Sequence, residues 1–393
     1  LRIAVLPGTI VVLLLAAATS FLFVNALPFL DFAVNADTLY PALLAEELRT
    51  DPTTVLRFQP ARIPSFIPDL LVAVGADLLT GSWRLAFWAY GATAFAMLSL
   101  LGGYVASRMR GQNFLACALG LAVAIAMLLA LGLGHFILTA SDPVLEVFDD
   151  RLVVNLYLLL MMPAWHSGAF IAGLAVVALA WRSATSVSAA PLCGLLALTC
   201  LATASNTLVI VYAALPACWA LADSMARRHI GTRRGLTVIA ALIAGAVGGH
   251  ALGLLSGRRE LPPPASDSMA DNAVRALVGL AGQPIMLLTL AVSVAMVLAA
   301  LFGRRPVDDA HKPASSYFPL VGACACVAAI LVTVLLFISP TGMNWRYAAP
   351  VAWWPLILAV GICGPWLSRW ALPIAGGATV AAAALVATSA MAA

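Results

Sequence analysis

The chain has 393 residues, of which 63% are hydrophobic and only 10% charged, and its formal net charge is +4. Soluble domains carry about 25% charged residues, so a soluble globular protein is excluded, and the absence of any Lys/Arg-rich run excludes a nucleic-acid partner. Only a bilayer accommodates so much apolar side chain, which predicts an all-α polytopic membrane protein with one transmembrane domain over residues 1–393.

A span needs about 20 mostly apolar residues, and the distances between charges measure the spans along the chain. The first apolar run, residues 10–27, is not followed by an A-x-A cleavage site and a soluble domain, and it reads as a retained span. After it comes a polar segment, 28–83, containing D-F-A-V-N-A-D-T-L-Y-P-A-L-L-A-E-E-L-R and R-I-P-S-F-I-P. Within it, Tyr40, Leu43, Leu44 and Glu47 recur at helical spacing and predict an amphipathic helix lying in the membrane interface. Residues 67–81 are apolar, but they are few and carry Asp69 and Asp77, so they predict an interfacial piece or a half-helix.

Further spans are predicted at 84–108 and 110–142. Residues 152–165 then read as a second interfacial piece, followed by a short span up to Arg182. The stretch 182–223 is long enough for a hairpin of two spans with its tip near Ser205-Asn206. Later spans fall at 235–257, 276–303, 317–338, 348–367 and 370–389, giving a total of about eleven. The seven cysteines all sit in apolar runs, which argues against a disulfide framework and makes Cys324-Ala-Cys326 helix filler.

If Arg2 is cytoplasmic and the spans alternate, twelve of the 21 basic residues but only Asp223, Asp308 and Asp309 among the acids fall on the cytoplasmic side. The acid-rich non-cytoplasmic loops are 28–83, 139–165 and 258–275, with a short fourth at 339–346. Any working groups are expected in these loops.

Asp37 opens the amphipathic helix. It is either a helix cap, satisfying free backbone N–H groups, or a carboxylate that takes a proton from an acceptor hydroxyl. Asp31 directly follows the first span and is the other acid in that position. Asp149 and Asp150 are either solvated loop charges or ligands for a sugar hydroxyl or a metal. His166, with His135 and His250, lacks diagnostic zinc spacing, so no metal site is assigned. Arg346 opens a late span in W-R-Y-A-A-P. It is either an interfacial anchor within an aromatic belt of Trp345, Tyr347, Trp353 and Trp354, or a guanidinium for a phosphate. Arg57, Arg62 and Arg258 are the other candidate cations.

The acid in D-T-L-Y (Asp37 to Tyr40), the R-I-P-S-F-I-P stretch, the hairpin S-N-T-L-V-I-V-Y-A-A-L-P and the R-Y-x-x-P motif (Arg346, Tyr347, Pro350) together resemble the GT-C superfamily. These are multi-span glycosyltransferases that use polyprenyl-phosphate-linked sugars. The resemblance implies Asp37 or Asp31 as the base and Arg346 as a phosphate contact, with the sugar and acceptor bound among Tyr40, Arg57, Arg62, Asp149, Asp150, His166, Arg258 and Tyr347. It also implies a polyprenyl-phosphate sugar donor and lipid contacts, a bacterial inner-membrane location with an outward-facing site, and a divalent cation as an optional aid. Two positions depart from the family pattern: Thr38 follows Asp37 where many members carry a second acid, and Asn206 stands at the hairpin tip where an acid is expected. A transporter or lipid flippase, and a non-catalytic membrane scaffold subunit, are the competing readings. A transporter predicts ionisable groups deep in several spans and broken helices.

Overall fold

The computed structural model describes residues 2–25, 36–53, 65–139, 158–163, 167–186, 188–255, 291–292, 294–295, 314–337 and 345–363. Among these residues every regular element is helical. In chain order the helices are α1 (Arg2–Asn25), α2 (Ala36–Thr50), α3 (Leu71–Thr80), α4 (Trp83–Arg110), α5 (Phe114–Thr139), α6 (Ser167–Thr185), α7 (Ala190–Ser205), α8 (Leu215–Ala226), α9 (Thr232–Leu255), α10 (Ala314–Phe337) and α11 (Ala349–Cys363).

Five of them hold an apolar stretch long enough to cross a membrane: Gly8–Asn25, Trp83–Met109, Ser167–Thr185, Thr232–Leu255 and Ser316–Thr333. Four shorter apolar stretches accompany them, Phe114–Ala130, Ala190–Ser205, Ile210–Ala226 and Ala349–Cys363. The protein is an all-α integral membrane protein. The expected span at 370–389 lies outside the described residues, as does that at 276–303 apart from residues 291–292 and 294–295, which are helical.

The expected interfacial piece or half-helix is α3. Its ten residues rise about 15 Å, half of a bilayer core of about 30 Å. It ends on Gly81 in the left-handed region (φ 67°), whose N–H donates to the Asp77 carbonyl at 2.7 Å. That cap satisfies a helix-end carbonyl and turns the chain back into α4. The hairpin of α7 and α8 turns at Asn206, whose side-chain oxygen accepts from the Leu208 N–H at 3.1 Å.

Small residues set the closest helix approach. Gly245 and Gly249 on α9 face Thr199 and Thr203 on α7, with the α7 carbonyls of Leu196 and Cys200 directly against them. In lipid, where apolar burial adds little to helix association, van der Waals contact between backbones takes its place. Elsewhere α1 and α4 exchange polar bonds: Ser20 Oγ donates to the Trp88 carbonyl at 2.8 Å, and Trp88 Nε1 donates to the Ala17 carbonyl at 2.9 Å.

The interior is aromatic. Trp353 and Trp354 are each 1% exposed and Tyr347 is 7% exposed. Trp354 meets Phe170 of α6 edge-on at 6.3 Å and covers Gly322 of α10. This corrects the aromatic-belt expectation for those three residues. The Trp354 ring fills the space left by Gly322, and burial of all three inside the bundle overrides the interfacial preference of Trp and Tyr.

Turns gather at two ends of the bundle. At one end Arg234 donates to the carbonyls of Ser183 (2.8 Å), Ser186 and Ser188 (3.2 Å), and Gln112 Nε2 donates to the Gly361 carbonyl at 2.8 Å. At the other, Ser65 N–H donates to the Ser205 carbonyl at 3.0 Å, and Tyr212 O–H donates to the Tyr347 carbonyl at 2.6 Å. The first end joins turns flanked by the Arg108, Arg182 and Arg233 positions. The second joins the first loop, the hairpin tip and the start of the late span.

Candidate functional site

The polar end is built from the first loop. Helix α2 lies against α3 through Leu44, Ala45, Leu70 and Val74, with Tyr40, Leu48 and Phe66 at the margin. This cluster is separate from the main core of the bundle. The amphipathic helix is therefore present, but rotated from expectation. Leu43 is 63% exposed and Glu47 is exposed, and the buried stripe is Tyr40, Leu44, Ala45 and Leu48. Helical spacing alone admitted both stripes, and only the position of α3 selects one.

An ion pair locks the same contact. Arg49 reaches Asp77 Oδ1 at 2.6 Å and the Asp77 carbonyl at 2.5 Å, while Glu46 holds the other guanidinium nitrogen at 2.7 Å. Hydrogen bonds to Asp77 and then Glu46 raise the Arg49 pKa further above its ordinary value. Asp77 is buried and the arginine half-exposed, so the bond acts as a latch between a surface helix and a fixed one. Arg49→Ala should loosen α2. The measurement is maleimide labelling of a cysteine placed at the fully buried Ala45, whose rate should rise severalfold in the Arg49→Ala background. An unchanged rate would mean that the apolar patch alone holds the helix.

Between α2 and α3 the chain enters the bundle through a tight turn, Phe66–Leu70. Ser65 precedes it in the left-handed region (φ 45°), Ile67 is extended (φ −124°, ψ 125°), and the Ile67-Pro68 peptide is cis. The turn closes with Leu70 N–H donating to the Ser65 carbonyl at 3.1 Å. Ser205, the last residue of α7, holds the turn from outside. Its carbonyl accepts from the Ser65 N–H and its Oγ accepts from the Ile67 N–H at 2.8 Å.

This turn carries Asp69, a carboxyl only 1% exposed. Tyr90 of α4 donates its O–H to Asp69 Oδ1 at 3.0 Å. On the other side the carboxyl lies against Gly168 in the first turn of α6, so close that a Cβ on Gly168 would overlap it. The free N–H groups and dipole of a helix N-terminus favour an anion there by roughly 0.3–1 kcal/mol, up to about 2, and a hydrogen bond to a charged group contributes about 1.5–3. Burying the charge costs several kcal/mol. These contacts offset part of that cost.

The residues expected to form the site are distributed as follows. Asp37 is the second residue of α2 and Arg346 lies in the short helical turn Trp345–Ala348; for both, the backbone alone is described. Tyr40 is half-buried at the α2–α3 contact. Tyr347 is buried, and its carbonyl receives the Tyr212 hydroxyl. Asp31, Arg57, Arg62, Asp149, Asp150, His166 and Arg258 lie outside the described residues. Among the described residues no three of His, Cys, Asp and Glu gather as a metal site.

Sequence reasoning missed Asp69 as a candidate, treating it only as a reason against a span. Its signal was an acid directly behind the Pro-rich R-I-P-S-F-I-P turn and ahead of an apolar run. An apolar groove of about 400 Å³ runs between α8 and α9, lined by Ile210, Leu215, Leu242, Val247, His250 and Leu254. Comparison of the chain with protein-family models, curated protein sequences and solved structures finds no match.

Proposed function

We propose that this protein transfers a sugar from a polyprenyl-phosphate-linked donor to an acceptor at the non-cytoplasmic face of a bacterial inner membrane, with a bundle of about eleven spans as its scaffold. The observation that carries this reading is the docked first loop. Helix α2, with Asp37 in its first turn, is held to the short helix α3 by a buried apolar patch and by the Arg49–Asp77 latch. Such a platform keeps a carboxylate at headgroup depth, where a membrane-confined donor presents its phosphate and sugar.

Asp37 is the base in this reading, with Asp31 as the other acid of the loop, and Arg346 contacts the donor phosphate. Because phosphate is already a good leaving group, positioning, proton removal and charge stabilisation supply the catalysis. The apolar groove between α8 and α9 suits an isoprenoid chain.

The test is label transfer from a polyprenyl-phosphate sugar into the envelope fraction of membranes containing the protein. Asp37→Asn should lower the rate at least about a hundredfold with expression unchanged. Full activity in that variant would remove Asp37 as base. One observation favours a second reading, a transporter or flippase: the chain breaks between α7 and α8 at Asn206, and the end of α7 holds the turn that carries the buried Asp69, as the discontinuous helices of transporters surround ionisable groups. Reconstitution decides between them. Substrate or lipid movement across vesicle membranes without sugar transfer would favour transport.

A further inference from the structure

We propose that the arginine-bearing end of the bundle, with Arg182, Arg228 and Arg233 as its exposed charges, is a docking surface for the phosphate headgroups of anionic phospholipids. The surface is separate from the first loop and independent of sugar transfer.

Three apolar helices bring these residues to one end. Arg182 lies in the last turn of α6, Arg228 follows the end of α8, and Arg233 is the second residue of α9. Arg234 ties the turns together by donating to the Ser183, Ser186 and Ser188 carbonyls. The stretches Ser167–Thr185, Ile210–Ala226 and Thr232–Leu255 are apolar. Guanidinium groups at their ends therefore fall at headgroup depth, where lipid phosphates are the anions at hand. The charge there is uncompensated. Arg227 is neutralised by Asp223 at 2.9 Å, whereas among the described residues no acid forms an ion pair with Arg182, Arg228, Arg233 or Arg234.

Two of these arginines also stand where the backbone favours another residue. Arg228 occupies the left-handed region (φ 58°) in the cap that ends α8. Its N–H donates to the Met225 carbonyl at 2.9 Å, and the His229 N–H donates to the Ser224 carbonyl at 2.8 Å. Glycine takes that position without steric cost, and the cap itself makes no use of a cationic side chain. Arg233 stands in the first turn of α9, where the helix dipole disfavours a cation and favours an anion. Both placements cost local stability, and such a cost at an exposed charge points to a bound partner. A guanidinium matches phosphate oxygens and keeps its charge at any working pH.

The experiment uses the full chain purified in a neutral maltoside detergent, with melting curves and native mass spectrometry of retained lipid as readouts. Wild type should retain added phosphatidylglycerol in preference to phosphatidylcholine. Arg228→Gly should melt at a higher temperature in detergent alone, yet hold phosphatidylglycerol about fivefold more weakly. Replacing Arg182, Arg228 and Arg233 together by glutamine should weaken retention roughly a hundredfold. A wild type without preference for phosphatidylglycerol overturns the proposal, as does full retention in Arg228→Gly. If Arg228→Gly melts lower in detergent alone, Arg228 is a structural tether and the proposal is again overturned. Glycerol phosphate supplies the soluble arm: should it displace phosphatidylglycerol at equal concentration, the site takes a free anion and the lipid assignment is overturned. The single glycine variant decides even where the triple variant fails to fold.

Discussion

Replacing Gly249 by leucine should abolish the folded bundle. A Cβ at this position would run into the Cys200 carbonyl of α7, with the Thr203 Cβ at 2.8 Å and the Ala204 nitrogen at 3.0 Å. Two of these atoms are backbone, which cannot move aside by changing rotamer, so α7 and α9 must separate. Overpacking of a well-packed core costs typically 1–3 kcal/mol. Here the whole helix pair loses contact, and the penalty should exceed about 3 kcal/mol, a large part of a stability of roughly 5–15 kcal/mol. Gly248 is the internal control: a Cβ there meets only the Cys200 Sγ at 3.6 Å, an ordinary contact. Size-exclusion profiles and melting curves in detergent should show aggregated Gly249→Leu beside near-normal Gly248→Leu. Equal behaviour of the two would rule out the close α7–α9 approach.

The second large effect is expected at Gly168. Its replacement by alanine drives a methyl group into the Asp69 carboxyl, and the carboxyl cannot retreat without losing Tyr90. The variant pays for overpacking and for a weakened bond to a buried charge, together about 3 kcal/mol. Asp69→Ala removes the carboxyl but leaves the Pro68 Cδ at 2.8 Å from the added methyl, so in that background the Gly168→Ala change should still destabilise, but by less than in the wild type. The melting temperatures of the four proteins form a double-mutant cycle, and residues in contact deviate from additivity by about 0.5–3 kcal/mol. Strictly additive penalties would mean that Gly168 and Asp69 do not touch.

These two glycines illustrate how far the sequence could be read. That 232–255 is an apolar helix was legible from composition, and so was the hairpin turning at Ser205-Asn206, because each depends on the chain's local character. That Gly249 and not Gly248 faces α7 was not legible: both are glycines in one apolar run, and only the partner helix distinguishes them. The amphipathic helix after the first span was likewise visible, but its buried stripe was not. Leu43 and Leu44 are equivalent until α3 covers one of them. Trp353 and Trp354 read as interfacial because Trp favours that depth, and the cavity beside Gly322 and Phe170 took Trp354 inside instead. At the polar end the acids were countable, yet Asp69 drew attention only after Tyr90, Gly168 and Ser205 were found around it.

The sequence by itself determined the membrane class, the apolar helices and the turn at Ser205-Asn206. All of these follow from the free energy of moving side chains between water and lipid, which is a property of each stretch alone. Tertiary structure decided which acid is buried, which glycines allow backbones to meet and which face of the first-loop helix is covered. Those outcomes depend on contacts between segments up to about 140 residues apart, such as Ile67 with Ser205 (138 residues), and no local pattern encodes such a pairing.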